Sequence, residues 1–379
     1  MTPPLIFPIY IAMRRIYLDY NATCPIFPEA VTAAANAMAH TGNASSIHAD
    51  GRAARKIVED AREQVAKLAG VRGAQIIFNS GATEGNNTIL SGFADKLVLV
   101  SPVEHPSVLE ATPTTTEFLP LKSDGTIDLD KFEVVMETSS PALVAVQLVN
   151  SETGIIQPVA DIARIAKAKG ALVLCDAVQA AGRIAIDFKE LGVDYLTLSA
   201  HKFGGPQGIG ALVFREGLQM PKFMRGGGQE KRQRAGTENI AAIAGFGAAS
   251  IRALENLEDY QSRCTALRAK LESALRTAAN DLIIVGENAP RVANTTDVIL
   301  PNASAETQLM AMDLEGVSVS SGSACSSGTF KPSHVLAAMG YSADEARSAL
   351  RFSTGWATTD ADIENAANAY ARMVSRLRK

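Results

Sequence analysis

The sequence predicts an α/β fold built on a mainly parallel sheet, followed by a smaller α+β C-terminal domain. Three observations carry this. Six short apolar runs lie between residues 75 and 214, nearly continuous in apolar character and rich in β-branched residues. That is the pattern of strands buried on both faces of a sheet. Helical periodicity separates the runs, and alternating strands and helices build α/β sheets. Beyond about residue 240 the texture changes to a long Ala-rich helical region and one isolated strand pattern.

Taken in order, the runs are QIIF (75–78), KLVLV (96–100), ALVAVQLV (142–149), ALVLCDAV (171–178), YLTLSA (195–200) and GALVF (210–214). Over 51–70, Ile57, Ala61, Val65 and Leu68 share one helical face, and Gly70 follows as a stop. Residues 159–169 repeat the pattern, closed by Gly170. The C-terminal part reads as a helical region over 239–278, a strand within 292–301 and a terminal helix over 360–378. The expected domains are 28–250 and 251–379, with residues 14–27 packing on the second.

Composition narrows the function classes. The 379 residues are 47% hydrophobic and 20% charged, which supports a large core and excludes a disordered chain. A net charge of -4 gives no footprint for nucleic acid or an anionic membrane. The basic cluster Arg225, Lys231, Arg232 and Arg234 is local to a Gly-rich loop. The cysteines, at 24, 175, 264 and 325, form no CxxC pair, so neither a disulfide framework nor a zinc site is expected. Their sparseness fits a reducing, cytoplasmic compartment. The apolar run Leu5 to Met13 is too short to span a bilayer. Residues 1–12 read either as a leader or as an extension ahead of a natural start at Met13.

In open α/β sheets ligands bind at the carboxyl ends of the strands. The residues that follow each run are therefore the candidates. NSGATEGNN (79–87) is a Gly-rich turn entering a helix, suited to a phosphate, with Thr83 adding a hydroxyl; it also fits an ordinary turn. His105 follows the second run, where a lone histidine is more often structural than catalytic. Asp176 ends an apolar strand, as a buried carboxylate or a helix cap, with Gln179 one helical turn on. Lys202 follows another strand and precedes a glycine-rich turn, as a Schiff-base amine of lowered pKa or a solvated lysine. Together they supply a phosphate cradle, an acid for a pyridinium nitrogen, a lysine and a histidine at one sheet edge. That is the requirement list for pyridoxal phosphate. Cys325 stands apart, in VSVSSGSACSSGTFKPSH (317–334), among small polar residues unlike those around a structural cysteine.

In this order LDYNAT, SGATEGNN, EHPSV, ETGIIQP, DAVQAAG, SAHKFGGPQGIG, GGGQEKRQRAGTEN, SSGSACSSG and RFSTG resemble the signatures of the cysteine desulfurases, fold-type I pyridoxal-phosphate enzymes. The resemblance runs from about Tyr17 to the C-terminal helix. SGSACSS resembles the group of nitrogenase-associated and housekeeping iron–sulfur enzymes. The resemblance implies a large domain with a mainly parallel seven-stranded sheet, and conversion of L-cysteine to L-alanine with the sulfur left on Cys325 as a persulfide. It implies that Lys202 binds the cofactor and moves the Cα proton, Asp176 pairs with the ring nitrogen, Gln179 bonds the phenolic oxygen and His105 stacks on the ring. Ala82, Thr83, Ser199 and His201 would hold the phosphate, Thr237 would reach the phosphate of a second subunit in a homodimer, and Arg351 would hold the substrate carboxylate. Ser151 stands where the family has asparagine, which puts a cofactor or substrate contact in doubt. Cys24, where threonine is common, reads as packing. The acceptor would be an iron–sulfur scaffold, for nitrogenase or general use, or a tRNA-thiolation protein. Alternatives on the same fold are a selenocysteine lyase or a class V aminotransferase; a scaffold without activity is disfavoured by the intact Lys202, Asp176, His105 and Cys325.

Overall fold

A computed structural model describes residues 15–322 and 331–378. All six expected runs are strands of one seven-stranded sheet: Ile76–Asn79, Val98–Val100, Leu143–Gln147, Leu172–Asp176, Tyr195–Ser199 and Gly210–Phe214, with the short Thr116–Phe118 at one edge. From one edge the order is 76–79, 210–214, 195–199, 172–176, 143–147, 98–100, 116–118. Only 210–214 runs antiparallel to its neighbours.

Period-two alternation puts side chains on both faces, and helices cover both. Val144, Val146, Val173 and Leu198 enter one core with Ala54, Val58, Ala61 and Val65 of the helix Ala49–Ala69. Leu143, Ala145, Leu174 and Leu212 enter the opposite core with Ile89 and Leu90 of the helix Ala82–Ser91. The buried stripe of helix 49–69 runs through Val58, and Ile57 sits half-buried at its margin. Gly70 ends that helix in the left-handed region, at φ 67°.

The Ala-rich region 239–278 is two helices, Ile240–Glu255 and Leu257–Ala278, bent by 70° at Asn256. Among the described residues no single helix is long and apolar enough to cross a membrane. A three-stranded antiparallel sheet of Ile283–Ile284, Thr295–Ile299 and Ala349–Ser353 packs with helix 257–278 and the terminal helix Asp360–Leu377 around a separate core. In it Asp297 stands directly opposite Arg351. The N-terminal segment joins this part: Ile16–Tyr17 pair with Val317–Ser318, and Leu18 enters its core.

The loop 225–237 departs from ordinary backbone geometry. Glu230, Lys231 and Arg232 have φ of 44°, 56° and 65°. A buried ion pair holds them there. The Glu230 carboxylate accepts from both terminal nitrogens of Arg62, at 2.6 and 2.8 Å, and from the Phe78 amide at 2.9 Å. Left-handed backbone costs a non-glycine residue about 1–2 kcal/mol, of which glycine's extra unfolded-state entropy offsets roughly 0.5–1. Arg232 is exposed. Arg232→Gly is therefore expected to raise the thermal unfolding midpoint by a few degrees at most, about 2–4 °C. An unchanged or lower midpoint would show that no strain is held at this position.

Candidate active site

The parallel strands end along one edge, and a cleft of about 630 Å³ opens there. Ala82, Thr83, His105, Ser151, Asp176, Gln179, Ser199, His201, Lys202 and Arg351 all line it. They come from strand ends far apart in sequence, which is what parallel βα units produce.

At one end Gly81, with φ 149°, turns the chain from strand 76–79 into helix 82–91. Its N-cap residue, Gly81, brings no side chain to cap that helix. The Ala82 amide donates to Ser199 Oγ at 2.9 Å, and Thr83 is exposed. An uncapped helix start with hydroxyls on both sides is an anion cradle.

Asp176 ends its strand with 8% exposure. Its carboxylate accepts from Asn86 Nδ2 at 2.9 Å and from the Val178 amide at 3.0 Å. It has no ion-pair partner among the described residues. An acid held this way, with no cation of its own, fits a protonated ring nitrogen. Beyond it the chain winds through successive turns rather than the expected helix. Gln179 nonetheless reaches the cleft wall, where Nε2 donates to Asn21 O at 3.0 Å and Oε1 accepts from Arg183.

Lys202 lies in the short 3-10 turn after strand 195–199. Its Nζ donates to the carbonyls of Asn21, at 2.7 Å, and Ala22, at 2.9 Å. Burial, with Arg183 and Arg351 nearby, pushes its pKa down to about 8. His201, beside it, shares a hydrogen bond of 3.1 Å between Nδ1 and Thr23 Oγ1, and burial lowers it to about 4. His105 opens onto the cleft and accepts the Ser107 amide at Nδ1, at 3.1 Å. The surrounding walls lower its pKa against the opposing pull of Asp176, and Lys202 and His334 add to the lowering. Both imidazoles are neutral at pH 7.

Arg351 is 7% exposed. One terminal nitrogen donates to Ser151 O at 3.0 Å, the other to Asp19 Oδ1 at 2.7 Å, and Nε has no partner. Ser151 acts here through its carbonyl, which also accepts from Asn21 Nδ2 at 2.9 Å. Thr237 is exposed and does not line this cleft. Cys325 lies outside the described residues. Ser320, Ser321 and Gly322 before it, and Ser333 and His334 after it, line the same cleft.

The sequence reading missed several residues. Asn21 is 1% exposed and braces both Ser151 and Thr295, and its carbonyl receives Lys202. Asp19 pairs with Arg351. Glu104 is buried in the cleft wall with Oε2 unpaired, and burial together with Asp176 drives its pKa far above the carboxylate range. Asn21 and Asp19 fall inside LDYNAT, so the motif was visible and their contacts were not.

Residues 16–366 match the class-V aminotransferase family. The chain is 37% identical over 378 residues to the cysteine desulfurase IscS of Dictyoglomus turgidum, covering 96% of both chains. It is 38% identical to a cysteine desulfurase of Nostoc, covering 97% of this chain and 94% of that one. Among solved structures, a NifS-like protein of Rickettsia africae superposes with a TM-score of 0.89 at 36% identity, over 95% of this chain and 99% of its own. Joined to the cleft geometry, these matches establish that the chain belongs to the class-V aminotransferase family, among its cysteine desulfurases.

Proposed function

We propose that the protein is a pyridoxal-phosphate-dependent desulfurase that converts L-cysteine to L-alanine and keeps the sulfur on Cys325 as a persulfide. The observation that carries this is the meeting of Lys202, Asp176 and Arg351 in one cleft, between chain stems that lead to and from Cys325.

The residues suit the cofactor. The uncapped helix start at Ala82, with Thr83, Ser199 and His201, would hold its phosphate, and Thr237 that of a second subunit. Asp176 would face the ring nitrogen, Gln179 the phenolic oxygen, and His105 the ring. Bound there, pyridoxal phosphate supplies an aldehyde that captures amines and a ring that takes up the electron pair of a broken Cα–H bond. Arg351 receives the substrate carboxylate, with its terminal nitrogens, held by Ser151 O and Asp19, turned to the cleft. Lys202 Nζ then takes the Cα proton, since its lowered pKa leaves a sizeable share as free base at neutral pH. Neutral His105 is able to carry a proton at the cleft mouth. The Cys325 thiolate attacks the substrate sulfur. A homodimer, a cytoplasmic setting and an iron–sulfur scaffold as acceptor complete the reading. Cys24, Cys175 and Cys264 are free, in keeping with a reducing compartment.

Purified protein supplied with pyridoxal phosphate, L-cysteine and a reductant is expected to release alanine and sulfide in equal amounts. A 2-oxo acid in place of alanine would overturn the reading in favour of an aminotransferase.

A further inference from the structure

Glu152 is a buried carboxylate that the reaction above does not use. It is 6% exposed and forms no ion pair among the described residues. A buried charge without a cation is costly unless hydrogen bonds compensate it. Its contacts lie on the two stems that flank residues 323–330. Ser333 Oγ donates to Glu152 Oε2 at 2.5 Å. Gly322 packs so closely on the same carboxylate that an added Cβ would collide with it.

The turn that carries Glu152 is rigid. Asn150 Oδ1 accepts from the amides of Glu152 and Thr153, both at 2.9 Å, and Asn150 Nδ2 donates to Val103 O at 3.0 Å. The intervening Ser151 carbonyl receives Arg351. The first stem is also bridged to Arg351, through the Arg351 amide to Ser320 O at 2.7 Å and the Ser320 amide to Arg351 O at 3.1 Å. The second stem is further tied by His334 Nε2 to Glu104 O at 2.9 Å. The carboxylate-binding arginine and both stems therefore share one frame.

We propose that Glu152 is a positioning residue, which fixes Gly322 and Ser333 to the turn that holds Arg351 and so serves the thiol step of the reaction. This rests on the desulfurase reading. A misplacement of reacting groups by about 1 Å costs on the order of a hundredfold in rate.

The test separates thiol attack from the earlier proton step. Exchange of the Cα proton of L-alanine in deuterium oxide, followed by NMR, needs Lys202 and Arg351 and no thiol. In the pyridoxal-phosphate-loaded enzyme, Glu152→Ala is expected to lower kcat for desulfuration about 10- to 100-fold. KM for L-cysteine, the exchange rate and the unfolding midpoint should stay within about twofold or a few degrees of wild type. Glu152→Gln keeps the volume and an acceptor for Ser333, so its kcat should fall between the two. Should Glu152→Ala fail to fold, Gly322→Ala applies the same disturbance from the other side. Unchanged kcat, or exchange falling in parallel with desulfuration, would overturn the role. Desulfuration by Cys325→Ala at the wild-type rate would overturn the underlying reading itself, whatever Glu152 does; an inactive Cys325→Ala beside a fully active Glu152→Ala would overturn this inference alone.

Discussion

Replacing Lys202 by alanine is expected to lower alanine formation from L-cysteine by at least about a thousandfold, because it removes the buried cleft amine of lowered pKa that would capture the cofactor and move a proton at Cα. Lys202→Arg should not restore activity, since a guanidinium stays protonated and is no nucleophile. The wild-type pH dependence carries the same signature. Burial and two nearby arginines hold the amine's pKa at about 8. At pH 7 about one-tenth of it is then free base, against less than one part in a thousand for an ordinary lysine. Cofactor capture by apo-protein, followed by absorbance, should rise about tenfold per pH unit below 8 and level off above it. A rise that continued to pH 10 would mean that the amine is not depressed and that the carbonyls of Asn21 and Ala22 hold it charged.

The strands of the central sheet were legible because burial on both faces leaves them nearly continuous in apolar residues, with polar ones mainly at their carboxyl ends. The seventh, Thr116–Phe118, was not. It is three residues long, lies at the sheet edge and exposes Phe118, so it lacks that apolar signature. The bend at Asn256 was also hidden, since helical periodicity runs through both helices and only the changed direction separates them. In the site, Asp176 and Lys202 could be read because each follows a recognisable strand. Asn21, Asp19 and Glu152 could not be read in the same way. Asn21 binds Thr295, 274 positions away, and offers Lys202 a backbone carbonyl that any residue possesses. Glu152 meets Ser333, 181 positions on. Periodicity registers the face of an element, whereas Asn21 and Glu152 act from turns and Asp19 from an isolated bridge to Ser353.

Cys325→Ala is expected to release less than about one per cent of the wild-type alanine while still exchanging the Cα proton of L-alanine. The atoms require this. A sulfur–sulfur bond forms between Cys325 and the substrate sulfur as the substrate's Cβ–S bond breaks. The electron pair of that bond stays with Cβ, which gains a proton and becomes the methyl group of alanine. No outside oxidant or reductant enters, and the enzyme thiol ends as a persulfide. The other cysteines are not replacements. Burial pushes the Cys24 thiol up to about 12, and raises those of Cys175 and Cys264 as well. Almost no thiolate exists at them near neutral pH, and none of the three lines the cleft. Cys325→Ser should be as inactive as Cys325→Ala, because a hydroxyl is neither ionised nor a nucleophile toward sulfur. Mass spectrometry after a single turnover without reductant gives the positive counterpart. Wild type should gain the mass of one sulfur atom on the peptide that contains Cys325, and the alanine variant should gain none. Sulfur on another peptide, or undiminished turnover by the variant, would remove Cys325 from the reaction and leave the lyase mechanism in its place.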